Sequence, residues 1–167
     1  FRAEKSNTTR HLTEFTGIDF EMGFINDEHD VMDVVEKYFQ FLLKKLNQEC
    51  NNKLKTLGIT LAVPKKIPRI QLQEMREWLK QQGKIVPDDE DLDAEAEKMM
   101  GEFVKQKYKC DFFFALGYPW KKRPFYHMKS GNTTKSFDLI YNGVEVATGA
   151  QREHRLAILE KQCQEKG

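Results

Sequence analysis

Phe1-Arg2-Ala3-Glu4, then Ser6-Asn7-Thr8-Thr9-Arg10-His11-Leu12-Thr13-Glu14-Phe15-Thr16-Gly17-Ile18-Asp19-Phe20-Glu21-Met22, reads as strand, polar loop, strand. Side chains alternate along a strand, so Arg2 and Glu4 share one face of the first, and Phe15, Gly17, Asp19 and Glu21 share one face of the second. Ile18, Phe20 and Met22 form an apolar row on the opposite face, expected to be buried. A charged face backed by an apolar one is the pattern of a sheet used as a binding floor.

The C-terminal part carries a second informative block, Arg123-Pro124-Phe125-Tyr126-His127-Met128 and then Ser136 through His154. Asn142-Gly143, flanked by apolar alternation, predicts a two-residue type I′ hairpin. Tyr141 then pairs with Val144, Ile140 with Glu145 and Leu139 with Val146. That register sets Glu145 diagonal to Asp138 on one face, roughly 7–8 Å apart at the backbone and within reach of a shared metal. Gly149 allows a bend or bulge.

The first block resembles motif 2 of the class II aminoacyl-tRNA synthetases, in the wording of the aspartyl-tRNA synthetase group of archaeal and eukaryotic type. The second resembles the amino-acid and metal-binding segment of the same family. The resemblance implies an α+β fold, an antiparallel sheet flanked by helices, as part of a class II catalytic core. It implies an aspartate–tRNA ligase, with ATP, L-aspartate and tRNA(Asp) as partners, Mg²⁺ as cofactor and a homodimeric parent. Arg2 would bridge the attacking carboxylate and the α-phosphate, since a guanidinium offers two parallel bonds. Phe15 would stack beneath adenine, Arg10 and His11 would meet the γ-phosphate, and Glu4 would place the adenosine or the tRNA end. Ser6 and Thr8 would reach the tRNA acceptor end. Asp138 and Glu145 would hold Mg²⁺ between the α- and β-phosphates. Thr148 stands where the family more often has Ser as a further oxygen. Arg152 would pair with the substrate's side-chain carboxylate, and Asp19 would hold its ammonium. The asparagine-specific sister enzyme is the runner-up; that group tends to carry Glu in place of Asp19 and an aromatic near Thr16. A synthetase-like binding module without ligase activity is a third reading.

At 167 residues, 32% charged and 40% hydrophobic, the chain has the composition of one soluble domain with a core. A net charge of +1 excludes a global electrostatic signal for nucleic acid, so any RNA contact is local. Cys50, Cys110 and Cys163 are far apart and odd in number, which argues against a disulfide framework and for a reducing, cytoplasmic setting. No apolar run approaches the ~20 residues of a membrane span. The chain is expected to be an internal piece of a longer enzyme, without motifs 1 and 3 or an anticodon-binding domain, and inactive alone.

Three stretches organise the chain: a motif 2 hairpin over 1–25, a mainly helical middle over 26–109, and strands plus a last helix over 110–167. A first helix is expected from about Asn26 to Leu57 on the stripe Val31, Val34, Val35, Tyr38, Leu42 and Leu46, with Gly58 as its stop. His29 reads as structural. Pro64 and Pro68 bracket an irregular or edge segment. Leu72, Met75, Trp78 and Leu79 mark a second helix ended by Gly83. Asp88-Asp89-Glu90-Asp91 lacks the glycine and spaced ligands of a calcium loop and reads as a solvated helix cap. Met99, Met100, Phe103 and Val104 mark a third helix, and Phe112–Leu116 a buried strand. Leu156, Leu159 and Cys163 mark the last helix.

Overall fold

The computed structural model describes residues 2–3 and 14–167, with side chains from Glu14 onward. Glu4, Ser6, Thr8, Arg10 and His11 lie outside the described residues, and Arg2 is described by its backbone alone. Strands β1 (Arg2–Ala3) and β2 (Glu14–Phe15) pair antiparallel, with Arg2 opposite Phe15. They form a sheet of their own, so Arg2 and Phe15 do not share a sheet with Asp138 and Glu145 as expected. Nor does the second strand run on to Met22. Ile18, Phe20 and Met22 are exposed rather than buried, because no described element pairs with residues 16–22 or covers their apolar side.

Helix α1 (Glu28–Glu49) starts on Asp27, whose carboxylate accepts the His29 N–H at 2.8 Å. It stops at Cys50, and α2 (Asn51–Thr56) continues separately, so the expected single helix is two. The buried line of α1 is Met32, Val35 and Leu43, while Val34 and Tyr38 are exposed. The polar edge of α1 ties down the irregular segment that follows α2. Gln40 donates to the Pro64 and Lys65 carbonyls, and Glu36 accepts the Ile67 N–H. His29 and Asp33 hold Arg69, consistent with a structural His29.

β3 (Arg69–Gln71) leads directly into α3 (Leu72–Gln81), and α4 (Ala94–Tyr108) follows. Trp78 of α3 packs on Phe103 of α4 with ring centroids 4.6 Å apart. The cap of α4 is Asp93, which accepts the Ala96 N–H at 2.8 Å; the run Asp88–Asp91 is not the cap. Asp93 wins because an N-cap oxygen must stand two or three residues ahead of the donor it accepts.

β4 (Phe112–Leu116) is buried at every residue. A 3-10 turn (Trp120–Lys122) and a small hairpin of β5 (Lys129–Ser130) and β6 (Thr133–Thr134) lead to β7 (Ser136–Tyr141) and β8 (Val144–Ala150). The main sheet runs β3-β4-β7-β8, antiparallel except that β3 is parallel to β4. Phe39 of α1 packs on Phe112, and Phe112 on Tyr141, so α1 covers the face that Tyr141 shares with Leu139. The start of α4 lies over the opposite face, where Asp138 points.

Asn142 and Gly143 both have positive φ, 48° and 77°, as a type I′ turn needs. α4 rides directly on this turn. A Cβ on Gly101 would sit 2.9 Å from the Gly143 nitrogen. The register departs from expectation beyond Glu145: Leu139 pairs with Ala147, leaving Val146 as the extra residue of a β-bulge. The bulge is therefore at Val146 and not at Gly149, which instead leaves room for the Phe137 ring.

α5 (Leu156–Lys166) buries Gln162, not Cys163, which is exposed. Gln162 Nε2 donates to the Phe125 and His127 carbonyls at 2.6 and 3.1 Å. A backbone segment with unpaired carbonyls needs donors more than it needs a thiol.

Gly101→Ala is expected to destabilise the fold. Overpacking of ~1–3 kcal/mol against the Asn142-Gly143 turn should exceed the ~1 kcal/mol gained in helix propensity. Urea unfolding checks this, and a variant at or above wild-type stability would show that the helix–turn contact is slack.

Candidate active site

β7 carries one charged residue, Asp138, in an otherwise apolar and neutral run. Its side chain is 6% exposed. A buried carboxylate needs partners, and Asp138 has several. Arg123 forks onto it, Nη1 donating to Oδ1 at 3.2 Å and Nη2 to Oδ2 at 2.6 Å. The Thr148 hydroxyl donates to Oδ1 at 2.6 Å. Arg123 in turn lies over the Tyr118 ring, 3.6 Å from its centroid. Burial works against the Arg123 charge, but the bonds to Asp138 more than offset it, and its pKa sits above the ordinary value. Burial first, then the Asp138 charge beside it, pushes the Tyr118 phenol well up.

The Val146 bulge decides what else faces Asp138. Glu145 and Thr148 are three apart, and in a regular strand they would point to opposite faces. With one residue looped out, Glu145 pairs with Ile140 and Thr148 with Asp138, which share a face. Asp138, Thr148 and Glu145 are thereby brought to one side of the sheet. The cleft beside them, about 300 Å³, is lined by Asp91, Glu97, Lys122, Arg123, Asp138 and Glu145 among others. Asp91, read from sequence as part of a solvated cap, instead has a carboxyl pushed up by burial.

These donors suit a hard cation such as Mg²⁺. They are carboxylate and hydroxyl oxygens, and among the described residues no three His, Cys, Asp or Glu side chains form a complete cage. The fit has one restriction. A carboxylate offers about four acceptor positions, and Arg123 and Thr148 take three on Asp138. Asp138 is thus limited to one oxygen toward an ion, or to a contact through water.

Arg152 stands apart from this cluster. It donates to Glu21 at 2.8 Å, and both side chains are largely exposed. Its guanidinium also lies 5.0 Å from the Tyr126 ring centroid. Asp19 is exposed in the same segment as Glu21, with no ion pair to Arg152 among the described residues. Phe15 is exposed beside the backbone of Arg2. His127 is buried, with its backbone bridged to Arg152. Burial first, then the Arg123 and Arg152 charges, pull its pKa down to about 4.

Sequence reasoning assigns no individual role to Arg123, Tyr118 or His127, and reads Asp91 only as part of a solvated cap. Arg123 and His127 stood in a quoted motif, but nothing in their spacing says which acid across the sheet they face.

The family model for class II tRNA synthetases (D, K and N) matches residues 1–167. The chain belongs to this family. The aspartate–tRNA(Asp) ligase of Pyrococcus horikoshii is 42% identical over 171 residues, covering 100% of this chain and 39% of that protein. The aspartate–tRNA(Asp/Asn) ligase of Aeropyrum pernix is 41% identical, with 100% and 39% covered. The chain thus spans about two fifths of the length of the curated relatives it matches. Among solved synthetases, the aspartyl tRNA synthetase of Entamoeba histolytica superposes with a TM-score of 0.91 at 36% identity, covering 100% of this chain and 36% of that one. An asparaginyl-tRNA synthetase of Pyrococcus horikoshii, complexed with asparaginyl-adenylate, gives 0.84 at 27%, with 100% and 39% covered. The class II synthetase assignment agrees with the α+β core found here. No helix among the described residues is long and apolar enough to cross a membrane.

The depressed pKa of His127 has a consequence for stability. Between about 6.5 and about 4 the unfolded chain binds this proton and the folded one does not, so stability should fall as pH drops through that window. Glu153 holds out lower. Arg155 beside it draws its pKa to about 2, so its contribution is complete above about 4.5 and is lost only as pH falls toward 2. Urea midpoints against pH check this, and His127→Asn should flatten the upper window. An imidazole resonance of His127 titrating near pH 6.5 would contradict it.

Proposed function

We propose that this chain is catalytic-domain sequence of an aspartate–tRNA ligase that activates L-aspartate with ATP and passes it to the 3′ end of tRNA(Asp). The observation that carries the reading is that Asp138 and Glu145 line one cleft while Thr148 bonds to Asp138 from the same side of the sheet, made possible by the Val146 bulge. Such a triad of oxygens serves a polyphosphate with its cation better than it serves a structural core. The parent is proposed to be a cytosolic homodimer. Free Cys50, Cys110 and Cys163 support the reducing compartment.

In this reading Arg2 clamps the substrate carboxylate against the α-phosphate, and Phe15 underlies the adenine. Base–aromatic stacking of that kind contributes ~1–3 kcal/mol. Arg10 and His11 meet the γ-phosphate, Glu4 the adenosine, and Ser6 and Thr8 the tRNA end. Asp138, Glu145 and Thr148 would hold Mg²⁺. When bound, the cation neutralises phosphate charge as it develops. No protein nucleophile is needed, because the tRNA ribose hydroxyl attacks the activated aspartate and the site contributes position and charge.

Substrate choice falls to Arg152 and Asp19. Arg152 is already paired with a carboxylate, that of Glu21, in an exposed and therefore weak ion pair. An aspartate side chain can take that place, and a guanidinium fork prefers it to an amide. Identity of about 40% to aspartate ligases, against 27% to the asparaginyl enzyme above, favours the same substrate.

Aspartate-dependent ATP–pyrophosphate exchange by the full-length protein tests the reading. Exchange with asparagine and not aspartate would move it to the sister enzyme, and exchange with neither would leave a binding module. Two variants sharpen it. Arg152→Leu should weaken aspartate binding by ~2–5 kcal/mol, roughly 30- to several thousand-fold; retention within threefold would assign the carboxylate to another cation. Glu145→Gln should cut exchange about tenfold or more while tRNA binding by filter retention persists.

A further inference from the structure

Asp138 is heavily held in the cleft, and what holds it bears on how a cation reaches it. Arg123 approaches with both terminal nitrogens while Thr148 takes a further position on Oδ1. Arg123 has little room to swing away. Its guanidinium stacks on Tyr118 at 3.6 Å, and its backbone N–H donates to Trp120 at 3.2 Å. The residues that follow it are pinned by Gln162 through the Phe125 and His127 carbonyls. Lys166 fixes the preceding turn through the Trp120 and Lys121 carbonyls. The other cation on the cleft wall, Lys122, is engaged with Glu90 at 2.5 Å.

A bare divalent ion entering this cleft meets a guanidinium charge at Asp138 and a carboxylate with few acceptor positions left. A nucleotide changes both terms. Its phosphates bring negative charge that answers Arg123, and oxygens that complete an octahedron, so one or two protein carboxylates then suffice. We infer that Arg123, clamped on Tyr118, is a positioning residue that keeps Asp138 closed to a bare divalent cation, so that the metal is taken up together with the nucleotide's phosphates. This rests on the reading of the cleft as the ATP–metal site.

The test uses Mn²⁺ as the probe, followed by loss of its free electron-paramagnetic-resonance signal on the full-length protein without nucleotide. Arg123→Gln is expected to bind bare Mn²⁺ at least fivefold more tightly than wild type, while kcat for aspartate-dependent exchange falls at least tenfold. Arg123→Lys keeps the charge and should restore most of the exclusion. Tyr118→Leu should shift Mn²⁺ affinity in the same direction as Arg123→Gln, whereas Tyr118→Phe, which keeps the ring and loses only the phenol's bond to Asp138, should shift it less. Should Arg123→Gln fail to fold in a thermal scan, the Tyr118 pair carries the comparison. Wild type binding bare Mn²⁺ as tightly as the Gln and Leu variants, or those variants binding it more weakly, overturns the inference. A merely structural Arg123 would lower exchange without tightening Mn²⁺ binding. Absence of exchange in wild type would sink the ligase reading alone, because the Mn²⁺ comparison needs no substrate.

Discussion

A carboxylate set into the middle of a buried strand cannot stay there unanswered. Asp138 sits between Phe137 and Leu139, both buried, on a strand with cover on each face. Its ion pair with Arg123 is what makes that position tolerable, and removing one member of such a pair typically costs ~3–5 kcal/mol. The requirement then spreads outward. Arg123 needs Tyr118 beneath it and a fixed backbone on either side. That backbone is the irregular stretch between β4 and β5, held in part by its own turn bonds and by bridges to Thr133 and Arg152. α5 supplies the missing donors through Gln162 and Lys166. A terminal helix of modest amphipathicity thus owes its place to carbonyls far from its own sequence, and the charge in the sheet owes its setting to that helix.

Much of this architecture was legible in the residues, and the parts that were not have identifiable causes. Asn142-Gly143 announced its turn because few other pairs adopt positive φ twice in succession. Phe112–Leu116 announced a buried strand because five apolar residues in a row leave no exposed face. α1 was legible as a helix but not in rotation. It carries apolar residues on two adjoining stripes, and only the position of Phe112 decides that Met32, Val35 and Leu43 face inward. Residues 16–22 alternate as a strand should, yet alternation encodes only a preference for pleated surface; pairing requires a neighbour. Asp91 and Asp93 look alike in sequence, and their different fates, cleft wall and helix cap, depend on where α4 begins.

The candidate site was legible as a set of residues and illegible as a set of contacts. Asp138, Glu145, Thr148 and Arg152 were singled out, but Arg123 and His127 gain meaning only once the sheet brings them near. His127 illustrates why. Burial and the charges of two arginines depress its pKa, and a neutral imidazole adds no third positive charge to theirs. The order of elements puts Arg123 and Arg152 on segments 29 residues apart, and His127 is bridged by backbone to the latter. No periodicity in a single sequence reports such a neighbourhood.

The Val146 bulge bears on insertions and deletions. Strand positions obey a parity rule: even separations share a side, odd separations do not. Glu145 and Thr148 break the rule and still face the same side of the sheet, so the looped-out residue acts as a phase correction in the backbone. Excising Val146 would set Glu145 and Thr148 two positions apart, an even separation that a regular pleat keeps on one side, whereas straightening the strand with Val146 retained would send either the carboxylate or the hydroxyl to the far side of the sheet. The converse is a tool for reading sequences. Two oxygen-bearing side chains at odd spacing beside a hairpin turn, both needed at one site, mark a hidden bulge before any coordinates are known.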